Sequence, residues 1–260
     1  MDSLFQTILL GIIEGITEFL PISSTGHLLI AEHWLGQRSE LFNVSIQAGA
    51  ILAVVLIYWR RLWDLLSGFA ESANRDYVIK LGGSFLITAI GGAVAKKFGL
   101  KLPEAVAPVA WALIVGGVII LLIERFVSHH QQREQVTWKV AMVVGLGQIL
   151  AAVFPGTSRS AATIFAAMLA GLTSRAAATE FAFLVGIPTM FAATGYELLK
   201  VVKSDGGGHE DWMALATGFV VSALVAFIAV KWLLRYIQTH KFTVFAWYRI
   251  VLGVLLLLFI

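Results

Sequence analysis

Glu14-Gly15-Ile16-Thr17-Glu18-Phe19-Leu20-Pro21-Ile22-Ser23-Ser24-Thr25-Gly26-His27 is the stretch on which this 260-residue chain turns. The residues before it, and most of those after it, are apolar. Yet these fourteen hold two carboxylates, two serines, two threonines and an imidazole. In hydrocarbon an ionisable group at a helix centre costs ~2.5–3.5 kcal/mol. Polar groups gathered inside a greasy segment therefore mark a site. Glu14 and Glu18 are spaced i, i+4 and share one helix face. Pro21 cannot continue the hydrogen-bond ladder and stops that helix. Ser23 and Ser24 both suit the N-cap of a second, short helix, on which Ser24 and His27 lie one turn apart. The free N–H groups at such a helix start favour anions, phosphate above all.

The composition says what surrounds this stretch. The chain is 58% hydrophobic and 13% charged, with a mean hydropathy of +0.84. A soluble domain carries about 25% charged residues. Long unbroken apolar runs, rather than alternating ones, exclude a barrel. The fold class expected is an all-α polytopic membrane protein forming a single integral membrane domain over residues 1–260. The absence of cysteine excludes disulfide and thiol chemistry. The net charge of +3 does not indicate a nucleic-acid partner: Lys and Arg gather at helix ends, where membrane proteins place them. His129 and His130, beside two glutamines, read as solvated.

Six runs approach the ~20 residues needed to cross a bilayer: 43–60, 78–96, 106–124, 178–200, 212–235 and 242–259. Two others, 4–20 and 140–154, are shorter. Each ends at a proline followed by a hydroxyl-rich helix start, which reads as a re-entrant helical hairpin. The two resemble each other. Gly11-Ile-Ile-Glu14 runs into Pro21-Ile-Ser23-Ser24, and Gly145-Leu-Gly-Gln148 runs into Pro155-Gly-Thr157-Ser158. Three spans separate them, so the two hairpins enter from opposite faces. That predicts inverted repeats over about 1–60 and 139–200, with a site where they meet. Loops on one side carry eleven Lys and Arg against five on the other, Lys101 among them. The positive-inside rule places the richer side in the cytoplasm and the first hairpin, with the Asp205–Asp211 loop, outside.

The second hairpin supplies Pro155-Gly156-Thr157-Ser158-Arg159-Ser160-Ala161-Ala162-Thr163. Thr157 or Ser158 can cap the next helix, and Arg159 projects from its first turn. A guanidinium offers a rigid fork suited to phosphate. If the tips meet, Arg159 joins Glu14, Glu18, Ser24 and His27 around a phosphorylated group, held directly or through a divalent cation. Mg²⁺ commonly takes one or two carboxylates plus substrate phosphates. Plainer roles compete. The glutamates could pair with Arg159 or Arg249, and pairing with an acid also suits Arg249 better than snorkelling. Single serines could be caps or back-bonded to carbonyls. His27 alone could be an interior histidine.

EGITEFLPISSTGH at 14–27 and PGTSRSAAT at 155–163 resemble the signatures of the undecaprenyl-diphosphate phosphatase family, also known for bacitracin resistance. IQAGAILAV at 46–54, EFAFLVGIP at 180–188 and Tyr248-Arg249 extend the resemblance along the chain. Ala161 departs from it, since glycine is common there. The resemblance implies hydrolysis of a polyprenyl diphosphate to the monophosphate and inorganic phosphate, which recycles the lipid carrier for cell-wall synthesis. It implies a divalent metal, Mg²⁺ or Ca²⁺, held by Glu14 and Glu18. It places the enzyme in the bacterial cytoplasmic membrane with its site toward the periplasm; a homodimer stays open. Matching motif positions makes Glu14, Glu18, Ser24, His27 and Arg159 catalytic, with Ser23, Ser24, Ser158, Arg159 and Thr163 around the phosphate. Ser24 is a candidate nucleophile with His27 as acid or base; water activated by His27 or Glu18 is the alternative. A transporter or flippase of a lipid-linked anion is the rival function, because broken helices in inverted repeats also build transporters.

Overall fold

A chain solvated by hydrocarbon must satisfy its backbone internally, and this one does so with helices. The computed structural model describes residues 3–100, 105–128, 131–203 and 210–259. Among them are eleven α-helices and no strand. Lys101, His129, His130 and Asp205 lie outside the described residues. The helices are α1 (Ser3–Thr17), α2 (Ser24–Leu35), α3 (Glu40–Ile57), α4 (Trp59–Ser67), α5 (Ser72–Lys97), α6 (Val106–Val127), α7 (Trp138–Val153), α8 (Arg159–Leu169), α9 (Arg175–Lys203), α10 (Trp212–Thr239) and α11 (Thr243–Phe259). Five of them, α3, α5, α6, α9 and α10, are long and apolar enough to cross a membrane. The run expected as a sixth span is α11, whose 17 residues reach about 25 Å. The chain is a multi-pass helical membrane protein. Its spans turn large apolar side chains outward, Leu86, Ile90, Leu122, Leu224, Ile228 and Leu258 among them, a surface that water would not tolerate.

Two local differences from the sequence expectation have simple causes. The run 43–60 breaks at Tyr58, and α4 turns off as a short amphipathic helix. Trp59 and Trp63 stack on its exposed side, and Arg61 reaches Glu180 of α9 at 3.1 Å. The first helix stops at Thr17, before Pro21. Glu18 begins the turn, although its N–H still bonds the Glu14 carbonyl at 2.9 Å.

The packing is reciprocal. α1 lies on α10 and α7 lies on α5, while α6 and α11 pair with each other. A Cβ on Gly11 would meet the Gly218 carbonyl oxygen and Val221 Cβ; one on Gly145 would meet the Ser84 carbonyl oxygen and Ile87 Cβ. Gly117 lies against the Ala246 oxygen and Ile250 Cγ1, each 2.7 Å from where its Cβ would be, and Gly253 lies against the Ala110 oxygen and Ile114 Cγ1 at the same distance. Small residues let these backbones approach closely. The sequences follow suit: Ala110-Trp-Ala-Leu-Ile-Val-Gly-Gly117 in α6 lines up with Ala246-Trp-Tyr-Arg-Ile-Val-Leu-Gly253 in α11. Ser222 of α10 thereby corresponds to Thr88 of α5, and Tyr248 and Arg249 to Ala112 and Leu113. Phe19, Leu20 and Ile22 from the first turn enter the same core as Ala161, Ile164 and Phe165 of α8, which brings the two turns together at its centre.

Candidate active site

Each hairpin turns on one serine in an unusual conformation. Ser23 has φ 74° and Ser158 has φ 71°. No other non-glycine residue among those described has a positive φ. Each hydroxyl accepts the N–H three residues on, from Gly26 and from Ala161, both at 3.3 Å. A non-glycine residue held there costs of order 1–3 kcal/mol, and such residues gather at functional sites. With Ser23 and Ser158 as the caps, Ser24 and Arg159 become the first residues of α2 and α8. Both are thereby placed at helix N-termini. Gly156 needs its φ of 89° and its lack of a side chain, since a Cβ would lie 2.8 Å from the Val109 carbonyl oxygen.

The tips touch through charge. Glu18 is buried; its Oε1 pairs with the Arg159 guanidinium, and its Oε2 accepts a hydrogen bond from Ser24 Oγ at 2.5 Å. Ser160 Oγ donates to the Leu20 carbonyl at 3.0 Å, and Phe183 of α9 packs edge-on against Phe19. Arg249 locks the junction. It is fully buried, and it donates to the carbonyls of Pro21, Gly156 and Thr157 in the two turns and to those of Ala112 and Leu113 in α6. A guanidinium has five N–H donors, and here they bind five carbonyls. Its expected partner was a carboxylate. The structure corrects this: Arg249 satisfies backbone that the two turns leave open. Gly116 makes room for it, since a Cβ there would lie 2.2 Å from Nη2.

Glu14 is different. It is completely buried, and neither carboxylate oxygen has a hydrogen-bond partner. Its nearest charged neighbours are Glu18 and Arg159. Ser222 Oγ, from the facing helix α10, is also buried and unpartnered. Buried polar groups are nearly always satisfied, so an orphaned carboxylate calls for a ligand. A divalent cation fits the donor set of Glu14 and Glu18, provided substrate oxygens or water complete its shell. Among the described residues no cluster of three His, Cys, Asp or Glu exists to hold one alone.

His27 does not face Ser24. Its Nδ1 lies 2.7 Å from the Ser23 carbonyl oxygen and its Nε2 lies 2.6 Å from the Tyr248 hydroxyl. Thr163 Oγ1 donates within its own helix to the Arg159 and Ser160 carbonyls, and Ser158 and Ser160 hydroxyls share a bond of 3.0 Å. The space beside Glu18, Arg159, Thr163 and Phe183 measures about 10 Å³, room for roughly one water. That is too small for a phosphate while Arg159 stays paired with Glu18. Ala161 points elsewhere. With Phe165, Leu146, Leu150 and Ile119 it lines an apolar cleft of about 400 Å³ between α6, α7 and α8. Residue-by-residue reasoning passes over Tyr248 and reads Arg249 as the partner of an acid. The likeness of α6 to α11, had it been sought, singles them out as its polar exceptions.

These signatures have relatives. The chain matches the family described as bacitracin resistance protein BacA across residues 7–255, and it belongs to that family. A Rhizobium etli protein named undecaprenyl-diphosphatase is 66% identical over 249 residues, which cover 96% of this chain and 94% of that protein. A Xanthomonas euvesicatoria pv. vesicatoria protein of the same name is 58% identical over 260 residues, covering 100% of this chain and 98% of its own length.

Proposed function

We propose that this chain is a membrane-embedded phosphatase that converts undecaprenyl diphosphate to the monophosphate and inorganic phosphate, returning the lipid carrier to cell-wall synthesis. The observation that carries the chemistry is the chain of contacts Ser24–Glu18–Arg159. Ser24 Oγ already points its proton at Glu18, which makes Glu18 its base and Ser24 the nucleophile. Attack on the terminal phosphorus forms the Oγ–P bond, breaks the bond to the bridging oxygen and releases the prenyl monophosphate. Water then cleaves the phosphoserine. Arg159 and the N-termini of α2 and α8 receive the phosphate charge. Substrate competes with Glu18 for the guanidinium. Glu14 and Glu18 would hold a divalent cation, Mg²⁺ or Ca²⁺, which supplies charge neutralisation at the diphosphate when bound.

The architecture we propose is six spans, α3, α5, α6, α9, α10 and α11, with α1–α2 and α7–α8 as re-entrant hairpins in inverted repeats. The reciprocal contacts of Gly11 and Gly145, and of Gly117 and Gly253, support it. So do the matching caps at Ser23 and Ser158. The charge asymmetry of the loops supports placing the site toward the periplasm of a bacterial cytoplasmic membrane. Phosphate release from undecaprenyl diphosphate by purified protein in detergent, with and without EDTA, tests the activity and the metal; a pure transporter releases none. A single cysteine at Ser72 is expected to label from the cytoplasm alone and one at Gly207 from outside alone. Labelling of both from one side defeats the topology.

A further inference from the structure

The contacts Ser24–Glu18–Arg159 do not include His27, although both of its ring nitrogens are engaged. A carbonyl oxygen only accepts, so the 2.7 Å contact with Ser23 assigns a proton to Nδ1. The neutral ring then offers its lone pair at Nε2, and the Tyr248 hydroxyl, 2.6 Å away, donates into it. His27 thus has no free lone pair to present to a reactant. Tyr248 does: its side chain is 44% exposed, and the oxygen that donates to His27 keeps its own lone pairs.

The pair is not required to build this junction. In the other half of the molecule the corresponding positions are Ala162 of α8 and Ala112 of α6, and those two helices still pack together. Tyr248 is also held firmly, because the next residue, Arg249, binds backbone carbonyls in both turns. We propose that Tyr248, donating to the Nε2 lone pair that the Ser23 carbonyl leaves bare, is the group through which His27 takes up the proton of the attacking water. The proposal rests on the phosphatase function above and adds a proton-relaying catalytic residue to it. In the hydrolytic step, water gives its proton to the Tyr248 oxygen as Tyr248 gives its own to Nε2. The new O–P bond forms while the P–Oγ bond of phosphorylated Ser24 breaks, and Oγ recovers the proton held by Glu18. The imidazolium keeps Nδ1–H on the Ser23 carbonyl and later releases the other proton to solvent.

Tyr248→Phe removes one oxygen and keeps the ring. Its kcat is expected to fall roughly 10²-fold, the usual scale for a general acid–base group, with KM nearly unchanged. His27→Ala is expected to fall as far, and the double variant no further than the poorer single one, as for residues that act as a unit. Wild-type kcat in Tyr248→Phe, or a double loss equal to the product of the singles, overturns the relay. A ¹⁵N-histidine NMR spectrum reads the tautomer without turnover. It is expected to show Nδ1 protonated, with Nε2 bare and hydrogen-bonded, and the Nε2 signal is expected to move in Tyr248→Phe. An Nε2–H tautomer in the wild type overturns the assignment. If the wild-type protein releases no phosphate at all, the phosphatase function falls and the relay with it, while the spectrum still judges the tautomer.

Discussion

Set α1–α2 beside α7–α8 and the same construction appears with two different fillings. In the second hairpin the buried Gln148 donates its amide to Thr88 Oγ1 at 3.0 Å. In the first, Glu14 stands at the corresponding place and Ser222 at that of Thr88, and both Glu14 oxygens and Ser222 Oγ lack partners. Gln148 Oε1 is also unpartnered, but the second hairpin leaves only a neutral amide oxygen open, whereas the first keeps a charge that structure alone does not justify. The same contrast recurs at the helix starts. Ser24 and His27 on α2 answer to Arg159 and Ala162 on α8, and Tyr248 and Arg249 on α11 answer to Ala112 and Leu113 on α6. A shared scaffold thus holds an asymmetric set of reactive groups. The first hairpin carries the two carboxylates, the Ser24 hydroxyl and the His27 imidazole; the second carries one guanidinium.

That division is broken most severely at the ion pair joining the two hairpins, Arg159 with Glu18. Arg159→Ala is expected to lower turnover roughly 10²–10³-fold, the scale of losing an electrostatic stabiliser of the transition state. Arg159→Lys keeps a charge but not the planar fork, and is expected to recover only part of this. Ser24→Ala combined with Arg159→Ala is expected to be little worse than the poorer single variant. Steady-state phosphate release measures all three, and fully multiplicative losses would mean that the tips do not serve one phosphate.

Exchanging the fillings is the next test. Glu14→Gln copies the second hairpin into the first. It removes an unpartnered buried carboxylate, so stability is expected to rise by roughly 1–3 kcal/mol, while turnover falls at least about tenfold, in keeping with lost charge assistance, and its dependence on divalent metal weakens. Gln148→Glu is expected to cost several kcal/mol through an uncompensated buried charge. Thermal unfolding in detergent and a metal titration read these out. A destabilised Glu14→Gln with normal metal response would make Glu14 a structural residue.

How much of this was legible beforehand depends on how local the signal is. The helices, the two proline-ended turns and the polar cluster at 14–27 follow from composition and spacing, because apolar runs and Pro21 act within a few residues. Which serine caps each turn does not: Ser23 and Ser24 have equal propensity, and the choice falls on Ser23 through a φ of 74° that only the packed turns impose. Arg249 misled for the same reason. A lone buried guanidinium suggests an acid, but its partners are carbonyls released by turns far away in the chain. Spacing pairs His27 with Ser24, one turn away, whereas its bond to Tyr248 spans 221 positions.

The caps offer a smaller test. Ser158→Ala loses one N-cap bond, worth about 1 kcal/mol, and activity in the folded fraction is expected to persist. Ser23→Ala is expected to cost a similar stability and to lower turnover as well, because its turn also carries the carbonyl that orients His27. Equal effects on turnover at the two serines would erase the functional difference between the hairpins.

The smallest expected effect lies at Ala161 of α8, the position at which the signature resemblance is broken. Its counterpart by cap position is Gly26, whose Cβ would meet Val109 Cγ1 and Leu113 Cδ1 at 3.4 and 3.5 Å, ordinary contact. The methyl of Ala161 lies in the apolar cleft with Phe165 and Ile119, whereas Arg159, Ser160 and Thr163 border the space beside Glu18. The methyl and the groups proposed to bind phosphate therefore leave α8 in different directions. Ala161→Gly is expected to cost up to about 1 kcal/mol, through backbone entropy in a helix and the lost methyl packing. Turnover and KM are expected to stay within about twofold, since no phosphate contact changes. A gain of tenfold or more in Ala161→Gly would mean that the methyl crowds the substrate. The phosphate would then have to approach α8 from the side of the apolar cleft, with Arg159 swung away from Glu18 to follow it.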